Sequence, residues 1–238
     1  MKRVKIPKTV KPILETVGRV AQDQGVQAYA VGGCVRDWLL GITSTVDVDV
    51  TIEGDGIALA GRLAETFGVT PRAHAQFGTA TLELPKRLRL DVASCRKETY
   101  REPAAYPTVS RGALRDDLFR RDFTINAMAI ALNPHQGGTL IDPFHGLRDL
   151  RQRRLRILHA RSFVDDPSRI LRAARFAPRF GLRLERATAQ QMFRALADGL
   201  LGRLNRGRLR KEFERMAAEP HPRACLICLG QWLAGDVG

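Results

Sequence analysis

Apolar and polar positions recur in two rhythms along this chain, and its first half uses both. Over residues 9–24 the spacing predicts an amphipathic helix ended by Gly25. QAYAV (27–31) predicts a short strand that delivers the pair Gly32-Gly33, and VRDWLLG a brief helix closed by Gly41. Strict alternation then sets Val46, Val48, Val50 and Ile52 against Asp47, Asp49 and Thr51, a strand whose valines bury. After the turn EGDG, Ile57, Ala60, Leu63, Ala64 and Phe67 fall at helical spacing, with Gly68 as the stop. TATLEL (79–84) and LRLDVAS (88–94), joined across Pro85-Lys86-Arg87, predict a β-hairpin. On its second strand Leu88, Leu90 and Val92 share one face, and Arg89, Asp91 and Ala93 the other.

From Arg96 to Gly112 the chain carries Pro103 and Pro107 and little periodicity, which predicts a mobile loop. LRDDLFRRDFTINAMAIAL then predicts one helix that presents Arg120, Arg121 and Asp122 near the surface before entering the core. NPHQGGTLIDPFHGLRDL is turn-rich, and the domain boundary is placed after it, giving domains 1–150 and 151–238. Beyond it strand signals mostly vanish. SFVDDPSRILRAARFAPRFGL predicts a helix with Pro167 in its first turn and Asp165 and Asp166 at its positive start. Pro178 should kink or end that helix. ATAQQMFRALADGLL and RGRLRKEFERMAAE predict two more.

Composition narrows the partners. The chain has 238 residues, 44% hydrophobic and 27% charged, enough for two compact domains. Its net charge of +14 favours a polyanion, with nucleic acid first, although a basic protein with no specific partner fits the charge equally well. The basic start lacks the apolar core of a signal peptide, and AMAIAL (127–132) is far too short to span a bilayer. No membrane association and a cytoplasmic location are therefore expected. Four scattered cysteines fit reduced thiols; Cys225 and Cys228 form one CxxC without a second pair, and are expected on the apolar side of a terminal helix.

The stretch Val31 to Val50 carries the chemistry. Glycines let a ligand approach the backbone, and helix N-terminal amides favour a phosphate. Asp47 and Asp49 share one face of their strand and repel unless a cation sits between them. Together these features suggest metal-assisted phosphoryl or nucleotidyl transfer. Asp91 is either a third carboxylate of that site or an ordinary solvent-facing aspartate. Arg169, Arg172 and Arg175 crowd one side of a helix, a repulsion that an anionic ligand would relieve.

GGCVRDWLLG, DVD, RRDFTINAMA and DDPSRILRAARFAPRFGL, in that order over roughly residues 28–185, resemble the bacterial-type (class II) tRNA nucleotidyltransferase and poly(A) polymerase family. EGDG…FGTA…LDVASCRKE also resembles the subgroup that includes enzymes adding only the terminal adenosine. The resemblance implies an α+β protein. A polymerase-β-like head with a small mixed sheet would be followed by an all-α neck and partial body. It implies that Gly32, Gly33 and Arg36 hold the nucleoside triphosphate and that Asp47 and Asp49, the catalytic pair, bind Mg2+. Arg121 and Asp122 would contact the ribose, Asp166 and Arg169 would read the base, and Arg172 and Arg175 would be further nucleotide contacts. A carboxylate and a guanidinium, i and i+3 on one helix, match the amine and ring nitrogen of adenine or cytosine and mismatch guanine and uracil.

The implied reaction is attack of an RNA 3′-hydroxyl on the α-phosphate of ATP or CTP, with tRNA or another RNA end as partner. Addition of CCA, of CC or A alone, and poly(A) synthesis all fit the same residues. A non-catalytic RNA-binding module and a small-molecule nucleotidyltransferase are rivals of other kinds. Family members continue into body and tail helices where this sequence stops at Gly238. A naturally short form, a fragment, and a form that borrows RNA contacts from a partner are all open, as is oligomeric state.

Overall fold

The computed structural model describes residues 2–44 and 46–236. They form two compact units: Met1–Glu98 with Val109–Arg121 and Ile125–Leu147, and Thr99–Thr108 with Asp122–Thr124 and Arg148–Gly238. The outer ends of the two expected domains, Met1 and Val237-Gly238, lie outside the described residues. No helix among the described residues is long and apolar enough to cross a membrane.

The first unit opens with helix α1 (Lys11–Asp23), strand β1 (Ala28–Val31) and helix α2 (Gly33–Leu39). Strand β2 (Asp47–Ile52), helix α3 (Gly56–Phe67) and strands β3 (Arg72–His74), β4 (Thr79–Leu84) and β5 (Leu88–Ser94) follow. Then come β6 (Arg96–Thr99), β7 (Thr108–Arg111), α4 (Leu114–Phe119), β8 (Ala129–Ala131) and β9 (Leu140–Ile141); α5 (Gly146–Arg151) starts in this unit and has most of its residues in the second. Seven strands make one mixed sheet in the order β3-β4-β5-β2-β1-β8-β9. Only β2 and β5 run parallel; the other pairings are antiparallel.

Burial follows the alternation. Val48, Val50, Leu82, Leu90 and Val92 are buried, with helices α1 and α3 against the sheet. Helix α3 starts because the Asp55 carboxylate accepts from the Ile57 and Ala58 amides, and it ends on Gly68 in the left-handed conformation. Its buried Leu59 and Leu63 each contribute about 1.5–3 kcal/mol of apolar burial. The strand-period residues that point away from this core are Asp47, Asp49 and Asp91.

Three local expectations are corrected. Val46 is 55% exposed: it precedes β2, although its carbonyl still accepts from the Arg89 amide of β5 (2.7 Å). The stretch from Arg96 to Gly112 is not an irregular loop: β6 and β7 pair in a two-stranded ribbon. Neither RKET nor TVSR has a buried face, so no hydrophobic period marked them. The helix expected through LRDDLFRRDFTINAMAIAL stops at Phe119. After a 3-10 turn at Thr124–Asn126, Ala129–Ala131 becomes an interior strand paired with β1 and β9. A short continuous apolar run has no period to separate buried strand from buried helix, and sheet pairing decided the outcome.

The second unit is helical around a small ladder. It contains β10 (Arg154–Leu155), α6 (Ser162–Asp165), α7 (Ser168–Phe180), β11 (Arg183–Leu184), α8 (Arg186–Ala197), α9 (Arg206–Ala217) and α10 (Pro222–Leu233). The expected all-α character is interrupted where β10 pairs in parallel with β11. Helix α7 contacts α6, α9 and α10 and buries Ile170, Leu171, Ala174 and Phe176. Pro178 does not end it. The helix continues to Phe180 and stops at Gly181 (φ 60°), so the proline costs one bond in a turn that is already terminating. Cys225 is buried and Cys228 half-buried on α10, both as free thiols.

Candidate functional site

In the first unit the site is built where β1 turns into α2. Gly32 has φ 77° and ψ −136°, a backbone that favours glycine, and a Cβ there would lie 2.7 Å from Nη1 of Arg121 and 3.5 Å from Oδ2 of Asp49. The missing side chain thus makes room for a guanidinium and a carboxylate beside the buried Gly32 and half-buried Gly33. Arg36 braces the turn from within. It is 4% exposed, and donates from Nη1 to Asn126 Oδ1 (2.6 Å) and from Nε and Nη2 to Asp37 Oδ1 (3.0 and 2.8 Å). Cys34 is buried and donates from Sγ to the Val31 carbonyl. Burial, with the negative charge of Asp49, pushes its pKa up to about 12, so it stays a thiol.

The sheet register sets the carboxylates. Asp49 pairs with Val31 on β1 and with Asp91 on β5, while Asp47 pairs with Arg89. Asp47 and Asp49 are solvent-accessible on one face. Enough protein surrounds Asp49 to raise its pKa by loss of solvation; Arg121 opposes the rise, and Asp91 and Asp47 add to it. Asp91 is next to Asp49 yet already engaged: it accepts from the Thr81 hydroxyl and pairs with Arg89 Nε at 3.0 Å. Among the described residues no cluster of three His, Cys, Asp or Glu side chains is arranged to hold a metal. The geometry is a carboxylate pair with an arginine beside it.

Asp117 is a residue that sequence patterning missed. It lies in α4, is fully buried, and accepts from Arg120 Nε and Nη2 (3.0 and 2.7 Å) and from Arg121 Nη2 (2.9 Å). Burial pushes its carboxyl upward, but Arg121 and Arg120 together outweigh that and hold it below the usual range. One buried anion therefore fixes the guanidinium that stands against Gly32. The available signal was LRDDLFRRD itself, where an aspartate precedes two arginines by three and four residues, helix-neighbour spacing.

The remaining expected residues belong to the second unit. Asp166 does not share a helix with Arg169. Its backbone is extended (φ −138°, ψ 90°) and it precedes α7, where Oδ1 accepts from the Ser168 amide and hydroxyl and from Arg208. Oδ2 of Asp166 has no hydrogen bond among the described residues. Arg169 is buried against the backbone and hydroxyl of Ser162. Arg208 also donates to the Ala104 carbonyl and lies over Tyr106, and the Ala104 amide donates to Val164, which ties residues 99–108 to this unit.

The argument from clustered like charge is overturned. Arg172 pairs with Asp122 through Nε (2.7 Å), and Arg175 pairs with Glu219 (3.0 Å) and faces Glu212 at 3.9 Å. Both guanidinium groups also lie against the Phe176 ring, at 5.6 and 4.6 Å from its centroid. Carboxylates from outside α7 compensate Arg172 and Arg175, so a ligand is not needed to relieve their repulsion.

Residues 28–156 match the family described as the poly(A) polymerase head domain. The chain is 44% identical over 217 residues to an A-adding tRNA nucleotidyltransferase of Geobacter sulfurreducens, covering 91% of this chain and 24% of the relative. It is 50% identical over 189 residues to the A-adding tRNA nucleotidyltransferase of Aquifex aeolicus, covering 79% and 23%. Among solved structures, a tRNA nucleotidyltransferase complexed with a primer tRNA and an incoming ATP analogue superposes with a TM-score of 0.83 at 44% identity, over 92% of this chain and 60% of that one. The chain thus spans about a quarter of the length of the two relatives.

Two stability measurements test the electrostatics. Asp117→Asn removes the carboxylate shared by Arg120 and Arg121, leaving Arg120 its pair with Glu98, and is expected to cost about 2–3 kcal/mol in urea unfolding at pH 7. Because the folded pKa of Asp117 is depressed, its contribution is present above the unfolded value of about 3.9 and is lost as pH falls through the folded one, so the variant flattens the acid limb. Asp49→Asn goes the other way. A raised folded pKa makes the ionised carboxylate a net cost that grows as pH rises from about 3.9 through the folded value. At pH 7 the variant should unfold at higher urea than the parent; an equal or lower midpoint contradicts the assignment.

Proposed function

The chain belongs to the poly(A) polymerase head domain family, and from that membership we propose that it is a template-independent nucleotidyltransferase that adds A, C or both from ATP and CTP to the 3′ end of a tRNA, releasing pyrophosphate. The observation that carries this reading is the accessible carboxylate pair Asp47 and Asp49 beside Gly32 and Arg121. The first unit is the catalytic head, and the second supplies base reading and RNA contacts. The cytoplasm is the expected setting.

The donor set fits Mg2+. That ion usually takes only one or two protein carboxylates and completes its shell with water and substrate phosphate. Asp47 and Asp49 would hold it, and the like charge that Asp91 and Asp47 place around the Asp49 carboxylate supports a cation there. Bound there, it would lower the pKa of the attacking hydroxyl and neutralise phosphate charge. Asp91, tied to Arg89 and Thr81, sets the field around Asp49 and is the least direct participant.

The chain's own groups do the rest. Gly32 and Gly33 let the triphosphate approach the turn, whose shape Arg36 maintains through Asn126 and Asp37. Arg121, aimed by Asp117, adds preorganised positive charge where the phosphates develop theirs. The 3′-hydroxyl oxygen then bonds to the α-phosphorus as the bond to pyrophosphate breaks.

For base selection, Asp166 accepts the exocyclic amine of adenine or cytosine at Oδ2, and Arg169 donates to the ring nitrogen. Guanine and uracil would leave both groups mismatched, which is costly in a desolvated site. Asp122 with Arg121 holds the ribose. Arg172, whose side chain stays 30% exposed, keeps a face for the nucleotide, while Arg175 mainly supports α7 through Glu219. Addition of A alone is the second reading, favoured because the relatives at 44% and 50% identity are both A-adding enzymes.

Labelled ATP and CTP offered with tRNA ending before the first C, with tRNA ending in CC, and with unrelated RNA test both readings. Incorporation of ATP only, and only after CC, selects the second. In the active assay Asp47→Asn with Asp49→Asn should lower the rate by about 10³-fold, several kcal/mol of barrier. An unchanged rate removes the enzyme assignment. Asp166→Ala should keep incorporation while narrowing the preference for A and C over U and G by about tenfold or more, the scale of one mismatched buried contact. Unaltered preference would place base reading elsewhere.

A further inference from the structure

The first unit has a second concave surface, at the far end of the sheet from Asp47 and Asp49. The segment before α1 runs along the edge strand β9. The Leu140 amide donates to Lys2 O and the Val4 amide to Gly138 O, both at 2.9 Å, and Arg3 bridges Thr139. Helix α1 returns over β8, and Gly18 lets it come close: a Cβ there would lie 2.0 Å from the Leu132 carbonyl oxygen. Between arm and helix is a cavity of about 760 Å³.

Its lining is two-toned. Leu14, Ala131 and Leu132 make an apolar floor, and Arg3, Lys5, Lys11 and Arg19 stand around it with Glu15 as the only carboxylate. Lys11 and Glu15 approach to 3.7 Å, but both are well exposed, so that pair contributes little. Among the described residues no carboxylate lies within ion-pair distance of Arg3, Lys5 or Arg19. The start of α1 opens beside Lys11 with no capping side chain and no acidic residue in its first turn, which adds positive potential. In the second unit Arg172 and Arg175 are answered by Asp122, Glu212 and Glu219; here Arg3, Lys5 and Arg19 are not answered among the described residues. Uncompensated like charge is a cost to the folded chain. An anionic ligand removes it.

We propose that this groove is a docking surface for the phosphodiester backbone of RNA, separate from the Asp47–Asp49 site. The proposal rests on the reading that the protein acts on RNA. Phosphates would engage the basic rim, and sugar or base faces the apolar floor. A bilayer fits less well. Insertion needs protruding apolar side chains, and among the described residues the first large exposed hydrophobic in the chain is Leu40.

The test uses the full chain, a fluorescent tRNA and a salt series. Lys5→Gln, Lys11→Gln and Arg19→Gln together should make the slope of log K against log salt shallower by about 2, three phosphate contacts at roughly 0.7–0.9 each, and weaken binding by about tenfold near 0.1 M salt. Incorporation of ATP at saturating tRNA should be unchanged. RNA containing 4-thiouridine should photo-crosslink within residues 2–19. An unmoved slope with unmoved affinity overturns the proposal. So does loss of binding to phosphatidylserine vesicles with tRNA binding intact, which would assign the surface to a membrane. If the parent incorporates nucleotide normally and the slope is unmoved, the groove alone is wrong. If the slope responds but no nucleotide is ever incorporated, the groove stands and the catalytic reading falls.

Discussion

Everything at the head's site depends on keeping two like charges next to each other on a strand. Asp47 and Asp49 repel, and Asp91 on the adjoining strand worsens the field around Asp49. The fold does not cancel that repulsion. It limits it, with Arg121 on one side and with Arg89 drawing off Asp91 on the other. Arg121 stays where it is because Asp117, buried and ionised, holds it through a direct hydrogen bond. Gly32 completes the arrangement by leaving out the one side-chain atom that would collide with that guanidinium. Remove any of these and the carboxylates remain, but their spacing and potential are no longer set.

This arrangement costs stability, and the sheet supplies it elsewhere. The face opposite the carboxylates is a continuous aliphatic layer, with Val48, Val50, Leu82, Leu90 and Val92 under Leu59 and Leu63 of α3. Burial of that kind is worth about 1.5–3 kcal/mol for each large side chain, so a strand with one apolar face can carry an unfavourable polar face. The same alternation that makes β2 fold is what brings Asp47 and Asp49 together. Structure and chemistry share one periodicity.

That shared periodicity explains what could be read from the sequence. The strand at Asp47, the hairpin between Thr79 and Ser94, helix α3 and its stop at Gly68 all have a half-buried period or a cap. Elements without a one-sided hydrophobic pattern were misread. The ribbon of β6 and β7 has no buried face, with even Val109 exposed, and Ala129–Ala131 is apolar throughout, inside the sheet with neighbours on both edges. Asp166 was misplaced for a different reason. Its carboxylate bonds the Ser168 amide at the start of α7, and a residue doing that must have left helical geometry, so i and i+3 no longer describe its relation to Arg169.

The arginines of the second unit show where charge arguments from sequence stop. Spacing along one helix reports which like charges are neighbours, but not which opposite charges other elements bring. Glu212 on α9 and Glu219 just beyond it are more than thirty residues from Arg175, and they turn an apparent anion site into an internal network. Such a network still has a functional reading. Guanidinium groups held by a carboxylate and an aromatic ring, as Arg172 and Arg175 are, have fixed positions, which is what the proposed nucleotide contact at Arg172 would require. The informative quantity is therefore not the number of arginines but the fraction already compensated: high along α7, low around α1. Charge compensated within the fold supports shape, and charge left uncompensated is what remains for an external anion.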